Sequence, residues 1–160
     1  MKTKYIVKRI SNELNKEIIN NFLDVKKCAQ LEFVGGMEFD TEKEALKEGL
    51  KIVSEAFDNN DKELSFVAIT TVKFEGNNIV SHGLLKNICA LEKEVFTVEL
   101  TGGKNEDECI YLSSEDDSNE NECMGSVRYA IKHNDEEPYK DYEYVEIKRN
   151  YRTIYKEKLR

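Results

Sequence analysis

The sequence predicts an α+β fold: one domain, residues 1–160, with a mainly antiparallel sheet backed by two N-terminal helices. Two observations predict it. Between Ser11 and Asp58, apolar residues recur at intervals of three and four, the period of a helix face. From Leu64 onward they mostly alternate with polar ones, and turn-forming clusters separate the alternating runs. Helices first and strands after is the order of an α+β chain, not of a βαβ one. A length of 160 residues suits one domain.

TKYIVKRI, 3–10, reads as a strand with Tyr5 and Val7 on one side and Ile6 on the other. Ser11 is a helix cap, and Leu14, Ile18, Phe22 and Val25 give the next segment an apolar face, so a helix is expected from there to about Ala29. LEFVGG, 31–36, reads as a short strand ending in a glycine turn. Thr41-x-x-Glu44 is a capping box. Leu46, Leu50, Val53 and Phe57 carry that helix on until Asp58-Asn59-Asn60-Asp61 stops it. Leu64 to Phe74 alternates as a strand, and Glu75-Gly76-Asn77-Asn78 is a turn. Residues 79–93 fit a strand at their start and a short helix through Leu84, Ile88 and Leu91. EVFTVELT, CIYLSS, SVRYAIKH and YEYVEIKRNYRTIY read as four further strands.

Charge is unevenly placed. The net charge is −8, and residues 105–123, NEDECIYLSSEDDSNENEC, hold eight acids and no base. The rest of the chain is balanced. Lys2, Lys4, Lys8 and Arg9 make one basic end; Lys148, Arg149, Arg152, Lys156, Lys158 and Arg160 make another. Mutual repulsion predicts an exposed loop at about 113–122. MKTKYIVKRI is too short and interrupted for a signal-peptide core, and no apolar run reaches the roughly 18 residues of a spanning helix. The expectation is a cytoplasmic protein whose cysteines stay reduced.

No catalytic set, cofactor motif or metal site is expected. A helix–loop–helix calcium loop starting at Asp117 fails, because Glu122 stands where glycine is needed and Arg128 where a bidentate acid is needed. Cys109, Cys123 and His133 lack a fourth zinc ligand and a zinc spacing. Cys109 and Cys123 flank the acidic stretch, where a disulfide clamp is conceivable only under oxidising conditions. Ser81 and His82 are neighbours on a strand and so point to opposite faces. Glu146-Ile147-Lys148 puts an acid and a lysine on one strand face; with an upstream acid such as Asp135 this has the makings of a metal-dependent nuclease centre. An E-x-K triplet is also expected by chance where 35% of residues are charged.

The leading expectation is therefore a small acidic protein that binds and inhibits another protein. A basic nucleic-acid-handling enzyme is the expected partner, as for phage-type inhibitors of host nucleases. The carboxylates of Glu115, Asp116, Asp117, Glu120 and Glu122 would take phosphate positions in a basic groove, speeding encounter. Arg149, Tyr151 and Arg152, in the tyrosine-rich C-terminal stretch, are a second candidate contact, since Tyr and Arg dominate interface energetics. An immunity protein or antitoxin is the alternative of the same kind. The E-x-K nuclease is the alternative of another. Direct nucleic-acid binding and membrane association are not expected.

Overall fold

The structure, a computed structural model, describes residues 1–104, 110–111 and 119–160. It is α+β, with antiparallel sheets and α-helices in both of its two compact units, Met1–Glu92 and Lys93–Arg160. No linker-like composition marks a boundary near Glu92.

The first unit runs β1 (Lys2–Ser11), α1 (Asn12–Asn20), α2 (Val25–Phe33), β2 (Met37–Phe39), α3 (Glu42–Asp58), β3 (Leu64–Glu75) and β4 (Asn78–Cys89). Its sheet has the order β2-β1-β3-β4, antiparallel throughout. Both faces are covered, which is why Ile6 and Val7, on opposite sides of β1, are both buried. Phe33 of α2 packs with Ile6 and Val72 on one face. On the other face α3 approaches closely over Val67, Ile69 and Ile88. A Cβ on Gly49 would meet the Ile88 Cδ1 at 2.9 Å and the Ile69 Cδ1 at 3.3 Å. Small residues set this distance: the buried stripe of α3 includes Ala45, Gly49, Val53 and Ala56, a small rotation from the Leu46–Leu50–Phe57 stripe that periodicity favours.

Three expectations in this unit are corrected. The helix after Ser11 is two helices. Ser11 caps the first, its Oγ accepting from the Leu14 N–H at 3.1 Å, and Asp24 caps the second through the Lys27 N–H at 3.0 Å. Asn20-Asn21 breaks the run, because amide side chains compete for backbone groups; Asn21 Nδ2 donates to the Glu17 carbonyl. Leu31–Phe33 is the last turn of α2, not a strand. The stretch 79–93 is strand β4 through Cys89, joined to β3 by a turn in which Gly76 has φ of 63°.

The second unit runs β5 (Phe96–Thr101), β6 (Ile110–Tyr111), α4 (Glu120–Lys132), a 3₁₀ turn (Tyr139–Asp141), β7 (Tyr144–Arg149) and β8 (Arg152–Lys158). The sheet order is β6-β5-β7-β8. Val98, Leu100, Val145 and Ile147 form the apolar face, covered by Cys123, Val127 and Ala130 of α4, with Tyr142 and Leu159 completing the core.

Here too the structure differs from the alternation pattern. SVRYAIKH belongs to a helix. Val127, Tyr129 and Ile131 mimic a strand, but the wholly buried set Cys123, Val127 and Ala130 has helical spacing, and Asn119 caps the Glu122 N–H at 2.9 Å. YEYVEIKRNYRTIY is a hairpin, not one strand. Arg149 pairs with Arg152 around Asn150 and Tyr151, whose φ values are 50° and 71°. Two consecutive left-handed residues are the signature of the tight turn that matches strand twist.

Candidate functional site

The chemistry-bearing residues gather on three places in the second unit. The first is the start of α4. Of the loop expected at 113–122, Asn119 is the helix cap, and Glu120 and Glu122 occupy the first helical turn, both exposed. Glu115, Asp116 and Asp117 lie outside the described residues, as does Cys109. Carboxylates on a first turn lie at the positive end of the helix dipole, which stabilises the helix. Glu122 also lines a shallow depression of about 450 Å³ with Gly125, Ser126, Tyr129 and Tyr139. Tyr129 stacks on His133 with centroids 4.2 Å apart and meets Tyr139 edge-on at 6.1 Å. Burial first, then Tyr129 and Glu136, pushes the Tyr139 phenol pKa up, so it stays a neutral donor. Sequence reasoning missed this wall because alternation made the segment look like a strand.

The second place is the β7–β8 turn, which carries Arg149, Tyr151 and Arg152. Arg149 and Arg152 are exposed. Asn150 anchors the turn: its N–H donates to the Val95 carbonyl at 2.8 Å, and its Oδ1 accepts from the Val95 N–H at 2.9 Å. The Arg149 guanidinium is engaged by Glu94. Several cations of this unit are similarly held at home. Lys140 pairs with Glu137 at 2.6 Å, Lys156 lies over the Tyr144 ring at 4.3 Å, and Arg160 donates to the carbonyls of Asn134, Tyr139 and Lys140.

The third place is the sheet face opposite α4. Glu146 and Lys148 do share it, and the register adds Glu99 directly across from Glu146. Both glutamates are nearly wholly buried. The Lys148 Nζ lies 2.7 Å from the Glu99 Oε2. Glu146 accepts from the Thr101 hydroxyl at 2.5 Å and from the Thr153 hydroxyl at 2.9 Å, one on each oxygen. Asp135, the upstream acid suggested by sequence, sits in the turn after α4 and not on this sheet. Glu99 could not be found without the strand pairing.

No family model, curated protein or solved structure matches this chain. Its function is therefore read from these surfaces alone.

The remaining candidates have structural surroundings. His82 packs at 5.2 Å against Phe33. His133 faces Glu136, with Nδ1 at 3.1 Å from the carboxylate. Cys123 is fully buried, and the Cys28 thiol donates to the carbonyls of Ile18 and Asn21. Among the described residues no three His, Cys, Asp or Glu side chains converge as a metal set, and no helix is long and apolar enough to cross a membrane.

Proposed function

We propose that this chain is a binding protein that inhibits a basic partner through the acidic side of its second unit, with a nucleic-acid-handling enzyme as the partner class. One observation carries the reading. Residues 93–160 hold 17 acids against 11 bases, and Lys140, Lys148 and Arg149 are already ion-paired within the unit. The surplus is therefore carboxylate, and it is concentrated at 106–122. A helix turn bearing Glu120 and Glu122, preceded in sequence by Glu115, Asp116 and Asp117, concentrates carboxylates for a groove built for phosphates. Tyr129 and Tyr139 supply adjoining aromatic area of the kind that anchors interfaces. Arg149, Tyr151 and Arg152 form a separate contact on the β7–β8 turn.

The test is capture of a partner and inhibition of its activity, comparing the native chain with one in which Glu115, Asp116, Asp117, Glu120 and Glu122 are changed to Gln or Asn. Loss of both capture and inhibition, together with weakening of native binding as salt is raised, is the expected result. Equal capture by both chains would remove the acidic surface from the function. An immunity protein or antitoxin would behave the same way toward a toxin, and the identity of the captured enzyme separates the two.

A second reading has one observation in its favour: Glu99 stands opposite Glu146 and beside Lys148, as a metal-dependent nuclease would need. It is the weaker reading, because threonine hydroxyls occupy both oxygens of Glu146 and Glu99 occupies the lysine. A magnesium- or manganese-dependent nuclease activity lost on Glu146→Gln with Lys148→Met would establish it.

A further inference from the structure

We propose that the depression on α4 is an arginine pocket: it takes one guanidinium of the basic partner, laid in the corner between Tyr129 and Tyr139 and donating to Glu122. The inference rests on the acidic-surface reading and names the chemical group that this surface takes up. Glu122, Gly125, Ser126 and Tyr129 follow one another at helical spacing, so they share one side of α4. Tyr139, from the 3₁₀ turn, completes the lining of the depression, about 450 Å³ in volume. The Tyr129 and Tyr139 planes meet at 64° with centroids 6.1 Å apart, which makes a corner and not a flat stack. His133 stacks on Tyr129 at 4.2 Å and is itself placed by Glu136 at 3.1 Å, so the ring has support in the absence of a ligand. Between Tyr129 and Glu122 the lining is small. Gly125 is exposed within a helix, where only proline is less favoured, and a Cβ added to it would meet nothing within 4 Å. A longer side chain there would occupy the space between ring and carboxylate.

Chemistry selects the occupant. An aromatic face attracts cations, and arginine suits this corner better than lysine, because its planar fork stacks on a ring while its N–H groups reach a carboxylate. A nucleobase could stack on the same rings, but Glu122 and Glu136 would then meet its phosphates as like charges. An apolar anchor would desolvate Glu122 without offering it a donor. The unit already makes this kind of contact internally, with Lys156 over the Tyr144 ring at 4.3 Å. The cations at the 3₁₀ turn are engaged elsewhere: Lys140 by Glu137, and Arg160 by the carbonyls of Asn134, Tyr139 and Lys140.

The experiment is an NMR titration of the full chain at low salt, with no partner present. The probe is the peptide acetyl-Gly-Arg-Gly-amide, alongside its lysine and citrulline counterparts. Arginine is expected to shift signals of Gly125, Tyr129 and Tyr139, lysine to bind several-fold more weakly, and neutral citrulline to do nothing. Tyr129→Leu and Glu122→Gln should each weaken arginine binding roughly fivefold; the second keeps the backbone N–H that Asn119 caps. Gly125→Leu should keep the melting temperature or raise it, and should abolish binding. Neutralising Glu115, Asp116 and Asp117 together should change binding by less than about twofold. No response to arginine, or unchanged binding by Gly125→Leu, would overturn the pocket. So would equal weakening by Glu122→Gln and by the triple neutralisation, which would leave only diffuse charge. Equal binding of lysine, or shifts at the same residues from a short oligothymidylate, would overturn the arginine assignment. The two readings fail separately: the titration needs no partner, and partner capture through the wider acidic surface does not need the pocket.

Discussion

Replacing Asn150 separates two physical effects at one buried residue. Its φ of 50° is left-handed, its Oδ1 accepts from the Val95 N–H at 2.9 Å, and only 2% of it is exposed. Asn150→Gly removes the hydrogen bond and keeps the backbone freedom. Losing a partner for a part-buried N–H costs about 1–2 kcal/mol, reduced somewhat because the unpartnered Nδ2 also disappears. Asn150→Ala loses the same bond and also forces a Cβ into the left-handed region, a further ~1–2 kcal/mol. The expected losses are thus about 1 kcal/mol for glycine and about 2–3 kcal/mol for alanine. Urea unfolding followed by tyrosine fluorescence gives the values, and amide exchange in β7 and β8 assigns them to this unit. Equal losses for the two variants would refute the conformational argument. An unchanged Asn150→Gly would refute the hydrogen-bond argument.

Other contacts give further expected outcomes. Lys148→Met strands the buried Glu99 carboxylate; since the lysine is partly exposed, a loss of about 1–3 kcal/mol is expected near neutral pH, read by thermal unfolding. Glu32 has its pKa raised by burial, so its protonated form fits the fold better. Its contribution is favourable below the carboxylate's unfolded pKa and is lost as pH rises through the folded one. Glu32→Gln should therefore stabilise by under ~1 kcal/mol after solvent screening at neutral pH and do nothing in acid, checked by paired melts. Asp40 runs the other way. Its hydrogen bond to Lys4 lowers its pKa, so the Asp40→Asn chain should differ from the native one above the carboxylate range and converge with it in acid. Removing Leu159 and Arg160 takes away a buried side chain and a guanidinium that binds backbone carbonyls, and should weaken the second unit by about 3–6 kcal/mol in urea titrations.

What was legible in the sequence depended on whether burial left a clean pattern. β5 and α3 could be read because the apolar side of each meets a core and its residues recur accordingly; β1 and β3, covered on both faces, could be read as apolar runs bounded by turn and cap residues. β4 gave no pattern because almost none of it is buried. The helix α4 was hidden because small Cys123 and Ala130 carry much of its core face while Val127, Tyr129 and Ile131 imitate alternation. Asn119-x-x-Glu122, the same cap grammar as Thr41-x-x-Glu44, was the signal that distinguishes them. The β7–β8 turn was hidden because tyrosine, not glycine, fills its second left-handed position. Of the candidate sites, the Glu146–Lys148 pair was visible as a strand spacing. Glu99 was not, because register belongs to the tertiary structure.

The division at Glu92 gives synthesis a timetable. Every strand and helix of the first unit comes from one continuous stretch, so its sheet can close while the ribosome is still translating the second unit. The second unit closes later, because Leu159, wholly enclosed in its core, is translated only after α4 and the β7–β8 hairpin. During that interval the apolar face of β5 waits uncovered, and the surplus of carboxylates at 106–122 emerges next.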